Sequence, residues 1–268
     1  MLGLKDEIWP RALAGLLSIW GANHQELRYM FADLSPADQA KYVAAKRAVE
    51  LVEDGMKLGL GTGSTAAWMV RCLAERVKTD GLRIQGVPTS TRTADLAREL
   101  GLEVVTLDQA GHLDITIDGT DEFDSALSLI KGGGGALLQE KIVASASDQM
   151  IVIADFDKHV PQLGKFPLPV EVLGFGLASS RDHIARLLAD HGLAGREITM
   201  RMHGDTPFVT DEGNFILDLH LEHIPDAPAL AIALNQLPGV VENGLFINIC
   251  DRVILGASDG RIEEHRRP

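Results

Sequence analysis

The sequence predicts an α/β protein, in which a parallel sheet with helices on both faces is joined to a second, smaller α+β unit. Three observations predict it. Strand-like and helix-like segments alternate through short connections from Met56 to Ala154, the pattern of a parallel sheet with helical crossovers. Glycine-rich turns stand where strands give way to helices, at Gly59 to Gly63 and Gly132 to Gly135. After Pro167 the rhythm changes to βαββαβ, the order of a ferredoxin-like split unit.

Each element has its own signal. Leu4, Ile8, Trp9, Leu13, Leu16, Leu17 and Trp20 recur at helical spacing and predict a helix with one apolar face in the first 34 residues. Ser35-Pro36-Ala37-Asp38 starts the next helix, with Ser35 as N-cap, and Gly55 is expected to end it. Strands follow at Met56 to Leu60, Arg83 to Val87, Glu103 to Leu107, Asp114 to Asp118 and Met150 to Ala154. The helices between them run from Thr65 to Lys78, Thr91 to Leu100 and Ala136 to Ser147. The second unit reads as strands at Val170 to Leu173, Glu197 to Met202, Phe208 to Leu221 (a hairpin partner interrupted by Asp211-Glu212-Gly213) and Val240 to Ile249, with helices at Ser180 to His191 and Ala227 to Leu237. Arg252 to Gly256 returns to the first sheet. The expected divisions are therefore 1–34, a large domain of 35–166 with 246–268, and an inserted small domain of 167–245.

Composition sets the function classes. The chain has 268 residues, 46% hydrophobic and 24% charged, enough apolar content for one or two ordinary cores. A net charge of −13 repels a phosphate backbone, so nucleic acid is excluded as the main partner. An anionic ligand then needs a small, locally basic pocket. The two cysteines, Cys72 and Cys250, lie in apolar surroundings and read as buried thiols of a reducing compartment. No apolar run reaches the roughly 20 residues that cross a bilayer, so no membrane partner is expected and the location expected is cytoplasmic.

The chemistry concentrates in three segments. Gly61-Thr62-Gly63-Ser64-Thr65-Ala66 lies between a strand and a helix, where backbone N–H groups, the helix N-terminus and hydroxyls suit a phosphate. It formally matches the dinucleotide pattern, but Val87-Pro88-Thr89-Ser90 offers no carboxylate for a ribose. A phosphomonoester cradle is the better reading. Asp118-Gly119-Thr120-Asp121-Glu122 places three carboxylates at a strand's carboxyl end. An Asx turn or a divalent metal would fit the carboxylates alone, but the cation that follows before the glycines is Lys131, and a lysine with carboxylates grips a hydroxyl-rich substrate. Lys131-Gly132-Gly133-Gly134-Gly135 then directly precedes a helix, and four glycines there imply close approach of backbone to ligand. Glu140, in the same helix, is the candidate for moving a proton at carbon, provided that partial burial raises its pKa. Lys158, after another strand, and Lys41, on the first helix of the large unit, are further candidates for the anion. His220 and His223 face opposite sides of a strand and cannot share a metal.

In these segments, with Gly164 to Val172 and Leu237-Pro238-Gly239-Val240-Val241, the chain resembles type A ribose-5-phosphate isomerases from about Ser35 to about Gly260. The resemblance implies interconversion of D-ribose 5-phosphate and D-ribulose 5-phosphate in the non-oxidative pentose phosphate pathway. It also implies a Rossmann-like large domain, homodimers or homotetramers, and no metal or cofactor. By position Glu140 matches the family's proton acceptor. Thr62, Gly63, Ser64 and Thr65, then Asp118, Gly119, Thr120 and Asp121, then Lys131, Gly132, Gly133 and Gly134, with Lys158, match its substrate-binding segments, and Lys41 matches a lysine near the phosphate. The chemistry then expected has Glu140 shuttling the carbon-bound proton, Asp118 handling a hydroxyl proton in ring opening, and Lys131 with the glycine amides holding the enediolate, with Asp121 also counted among the catalytic residues. Thr120 departs from the family, which usually has Ala there.

Two enzyme rivals of similar fold, glucosamine-6-phosphate deaminase and 6-phosphogluconolactonase, also bind sugar phosphates. A deaminase is expected to use a pocket histidine, and none falls in these motifs. A sugar-phosphate sensor is expected to carry a basic helix-turn-helix, for which the first 34 residues are too short and too poor in Lys and Arg.

Overall fold

The structure, a computed structural model, describes residues 34–267. The helix expected before Ser35 lies outside the described residues. Ser35 caps α1 (Pro36–Val49) as expected, its hydroxyl accepting from Asp38 N at 3.1 Å. The large unit continues with β1 (Lys57–Leu60), α2 (Ser64–Asp80), β2 (Gln85–Pro88), α3 (Thr91–Glu99), α4 (Leu107–Ala110), β3 (Leu113–Gly119), β4 (Glu122–Phe123), β5 (Leu129–Ile130), α5 (Leu137–Ser145) and β6 (Ser147–Asp155). After a single 3-10 turn at Phe156–Lys158 come β7 (Leu168–Val172), α6 (Leu177–Asp190), β8 (Glu197–Met200), β9 (Met202–His203), β10 (Thr206–Pro207), β11 (Phe215–His220), α7 (Ala227–Asn235) and β12 (Val240–Asn243). The chain then closes with β13 (Leu245–Phe246), β14 (Arg252–Gly256) and β15 (Ile262–Arg266).

The main sheet has the order β15-β14-β6-β3-β1-β2, parallel throughout except for β15. Its parallel strands are buried on both faces, which is why they read as near-continuous apolar runs. Ile151 and Ile153 of β6 join Leu58, Leu60, Ile115, Ile117, Met69 and Leu73 in the core beneath α1 and α2. Met150, Val152 and Ala154 face the other way, against Phe123, Ala144 and Phe246. Because β2 and β3 lie on opposite sides of β1, the order in which the chain adds strands reverses there, and the loops after β1 and β3 open a crevice at the carboxyl edge. At Gly256 a Cβ would overlap Ala40 O, so the missing side chain lets α1 lie directly on β14.

The small sheet is antiparallel, β12-β7-β11-β8, and takes its elements in the βαββαβ order expected from the sequence. Its core joins Leu168, Val170, Ile184, Leu188, Leu217, Leu219, Leu230 and Leu234 beneath α6 and α7. Cys72 and Cys250 are buried, and burial pushes both thiols up to about 12.

Several expectations are corrected. α1 stops at Val49, well before Gly55, because Arg76 Nη1 takes the carbonyls of Val49 (2.6 Å) and Val52 (2.9 Å), so Leu51 and Val52 pack from a turn. Glu103 to Leu107 is not a strand: Val104 makes one bridge to Gly86, and Thr106 then caps α4 in a reciprocal capping box with Gln109. Val240 to Ile249 breaks at Gly244, where a Cβ would overlap Lys131 O, and β13 leaves the small sheet to pair with β5. Of Phe208 to Leu221, only Phe215–His220 is strand, and β8 ends at Met200 ahead of the separate β9–β10 ribbon. β4, β5 and β15 were not expected. Elsewhere the expected segments shift by a few residues at their ends.

Candidate active site

A cleft of about 430 Å³ opens at the carboxyl edge of the main sheet, lined by the loops after β1, β2, β3 and β6 and by the glycine run. Thr62, Gly63, Ser64, Thr65, Gly119, Thr120, Asp121, Lys131, Gly132, Gly133, Gly134, Glu140, Lys158 and Lys41 all line it. Asp118 does not. Its carboxylate lies beneath the cleft wall, fully buried, where Oδ1 accepts from Thr62 N at 3.1 Å and Gly119 N at 2.7 Å.

The loop after β1 is shaped by what lies under it. A Cβ on Gly61 would overlap Asp118 Oδ1, and Gly63 has φ +116°. Gly63 precedes α2 with no side-chain cap, which leaves the first N–H groups of a 17-residue helix facing the cleft wall that Ser64 and Thr65 line. The Thr62 hydroxyl, counted from the sequence among the phosphate donors, turns inward instead. It joins a buried cluster with Thr89 (2.8 Å), Ser90 (2.8 Å) and Thr93 (3.2 Å) that fastens the β1 and β2 loops together. Gly61→Ala is expected to lower both melting temperature and turnover, because the new methyl must displace the Asp118 carboxylate from the Thr62 amide. Thermal unfolding and a turnover assay check this, and a wild-type value in both would contradict it.

The floor of the cleft is a buried charge cluster. Lys131, at 2% exposure, donates to Gly119 O at 2.6 Å and lies 2.9 Å from Asp118 Oδ2 and 3.3 Å from Glu140 Oε2. The two carboxylate contacts are ion pairs without well-directed hydrogen bonds, and neither oxygen has another partner. Glu140 is 2% exposed, more deeply buried than the sequence suggested. Burial, with Asp118 and Asp121 adding repulsion against the pull of Lys131, pushes its carboxyl up to about 8. Burial raises Asp118 as well, but its two backbone N–H donors and closer ammonium favour its ionised form, so the shared proton belongs to Glu140. Burial would lower Lys131, yet Asp118 and Glu140 outweigh it and hold the ammonium above the usual lysine range.

The remaining predicted residues divide. Asp121 reaches the cleft and takes Gly133 N on Oδ2 at 2.7 Å. The Thr120 hydroxyl points away, within donor distance of Glu122 O (2.7 Å) and Ile130 O (3.0 Å), which explains how a hydroxyl is accommodated there. Glu122, the third carboxylate of the motif, accepts from Gly164 N (2.8 Å) and Phe166 N (2.6 Å) and ties down the chain leading to β7. Lys141 pairs with Glu242 at 2.8 Å, outside the cleft. Sequence reasoning missed Arg92, Ala37 and Asp155, which also line the cleft. The carboxyl ends of β2 and β6, where Arg92 and Asp155 lie, were the available signal for those two. Arg92, Lys41 and Lys158 ring a cleft whose floor is buried, the locally basic rim that an acidic protein needs to hold an anion.

A profile of the family described as ribose 5-phosphate isomerase A (phosphoriboisomerase A) matches residues 85–260. A ribose-5-phosphate isomerase A of Ruegeria pomeroyi is 66% identical over 234 residues, covering 87% of this chain and 89% of the relative. The structure of a ribose 5-phosphate isomerase from Plasmodium falciparum superimposes with a TM-score of 0.81 at 35% identity, over 85% of this chain and 98% of that one. A D-ribose-5-phosphate isomerase solved in complex with phospho-erythronic acid gives a TM-score of 0.80 at 38% identity, over 87% of this chain and 100% of that one. With its basic-rimmed cleft, buried Asp–Lys–Glu floor and glycine clasp, this chain belongs to the ribose 5-phosphate isomerase A family.

Proposed function

We propose that this protein interconverts D-ribose 5-phosphate and D-ribulose 5-phosphate through a cis-enediolate, in the non-oxidative branch of the pentose phosphate pathway. The observation that carries the reading is Glu140: a carboxyl buried on the cleft floor, with its pKa raised to about 8, beside a cation and a glycine clasp. Such a group can accept a proton from carbon and return it near neutral pH. Its ionised form takes the proton from C2 and, once the hydroxyl proton has passed from O2 to O1, its protonated form delivers the carbon-bound proton to C1. The charge left on the sugar oxygens is held by Lys131 and the glycine amides. The contact of Lys131 to Glu140, at 3.3 Å, is the longest of its three, and it is the one a substrate oxygen can displace.

Ring opening needs a hydroxyl proton moved, and Asp121, which lines the cleft, is better placed for that than Asp118. Asp118 then serves by holding Lys131 and the Thr62 amide. The phosphate is moored by the N-terminus of α2 with Ser64 and Thr65, and by Lys41, Arg92 and Lys158. The phospho-erythronic acid held by a solved relative supports this division, because it pairs a phosphate with a carboxylate that resembles the enediolate. The same reading includes a division into a large domain of 35–166 with 246–268 and a small domain of 167–245, a homodimer or homotetramer, and a cytoplasmic location. Among the described residues no helix is long and apolar enough to cross a membrane.

The test is incubation of the purified protein with D-ribose 5-phosphate in the presence of EDTA, following ketopentose. Formation at a rate unchanged by the chelator is expected. Failure to form ketopentose overturns the reading, and ammonia release from glucosamine 6-phosphate would favour the deaminase rival instead.

A further inference from the structure

Among the described residues of the small unit, Pro169 and Phe208 pack against Gly132 and Gly135, and the side chain of Arg201 hydrogen-bonds to the glycine clasp. Arg201, between β8 and β9, has a side chain only 14% exposed. Its guanidinium is shared between two groups. Nε donates to Asp218 Oδ2 at 2.9 Å and Nη2 donates to the other oxygen of the same carboxylate, while Nη1 donates to Gly132 O at 2.6 Å and Gly133 O at 3.3 Å. The fork is thus braced on β11 and presented to two successive carbonyls of the glycine run.

A trans peptide points its C=O and the following N–H in opposite directions, and no peptide bond among the described residues is cis. Drawing the Gly132 carbonyl toward Arg201 therefore turns the Gly133 N–H the other way, and that N–H is found on Asp121 Oδ2 at 2.7 Å. The next peptide plane obeys the same rule. With the Gly133 carbonyl on Arg201, the Gly134 N–H faces away from it, on a residue that lines the cleft, and no protein acceptor among the described residues takes that N–H. The Gly132 carbonyl also accepts from Gly135 N at 3.0 Å, but that turn leaves its central Gly133–Gly134 plane unset, and glycines have no conformational preference that would set it, so that plane is fixed from outside the run.

We infer that Arg201 is a positioning residue for the reaction: braced by Asp218, it fixes the Gly133–Gly134 peptide plane of the glycine clasp so that the Gly134 N–H is presented to the oxyanion developing on the sugar. This rests on the isomerase reading, and wild-type turnover of D-ribose 5-phosphate tests that reading separately.

The experiment compares wild type with Arg201→Ala, Arg201→Lys and Asp218→Asn, measuring kcat and KM for D-ribose 5-phosphate. It also measures affinity for two probes, phospho-erythronic acid, which carries a carboxylate at the enediolate position, and ribitol 5-phosphate, which carries no such charge. Arg201→Ala is expected to lower kcat by about 10²-fold, the usual cost of one oxyanion donor, with KM changed by less than about threefold. Phospho-erythronic acid should bind at least about tenfold more weakly, while ribitol 5-phosphate stays within about threefold. Arg201→Lys should recover part of the loss, because one ammonium can serve the carbonyls or Asp218 but cannot fork across both. Asp218→Asn keeps the shape and loses the charge, so it should shift the same quantities by less, and it decides the matter should Arg201→Ala fail to fold. An unchanged kcat in the folded variants, or equal weakening of both probes, overturns the inference.

Discussion

Glu140→Gln is expected to lower kcat by about 10²- to 10⁴-fold, the range typical for loss of a positioned base, with KM for D-ribose 5-phosphate close to wild type. The amide keeps the shape of the side chain and cannot accept the carbon-bound proton. In the wild type, kcat/KM should rise with pH toward about 8, because the free enzyme must hold Glu140 ionised to begin the forward reaction. That limb should vanish in the variant. Stability carries the same signature with its own sign. Burial raises the carboxyl from 4.5 to about 8, so its contribution is fully present below pH 4.5 and is lost as pH rises through about 8. Glu140→Gln has no such loss. Its melting temperature should therefore gain on wild type between pH 5 and pH 9, as thermal unfolding at both values would measure. A variant with wild-type kcat, or one whose melting temperature falls relative to wild type as pH rises, contradicts the assignment.

Lys131→Met should be the most damaging single change in both activity and stability. It deletes the one cation lying between Asp118 and Glu140, at 2.9 and 3.3 Å, and leaves two buried carboxylates facing each other. Breaking a buried ion pair from one side costs about 3–5 kcal/mol, because the remaining charge is stranded away from water. The loss should be largest at pH 8 and shrink toward pH 5, since both carboxyls are already raised by burial and protonate before ordinary carboxylates do. Turnover should fall at every pH, because the enediolate loses its ammonium. Urea unfolding at the two pH values, with a ketopentose assay alongside, checks both halves. Unaltered stability at pH 8 would mean that the cluster is not organised by Lys131.

The parts of the site encoded in backbone demands were legible in the sequence. Gly61 and Gly133 are required where a Cβ would strike Asp118 and Asp121, and glycines placed between strand and helix announce that demand directly. The alternation of strands and helices also gave the main sheet, since each of its parallel strands is buried on both faces and reads as an apolar run. The two-residue strands β4, β5 and β13 are too short for any periodicity, and β15, Ile-Glu-Glu-His-Arg, is a charged edge strand without an apolar face. What the sequence could not disclose were side-chain directions and tertiary meetings. Thr62 looked like a phosphate donor until Thr89, Ser90 and Thr93 claimed its hydroxyl. Asp118 looked like a cleft residue, but β3 carries it beneath the wall. Arg201 meets Gly132 across the junction of the two sheets, and no local pattern around it announces that contact.

One carboxyl, Glu140, is assigned to move the proton between C1 and C2. A crystal structure of the protein with D-ribose 5-phosphate held in its open-chain form would test this. A Glu140 carboxyl oxygen is expected within about 3–3.5 Å of both carbons, the separation of reacting atoms poised for transfer, with the phosphate at the α2 N-terminus. A sugar bound with its phosphate there but with C1 and C2 out of reach of Glu140 would contradict it.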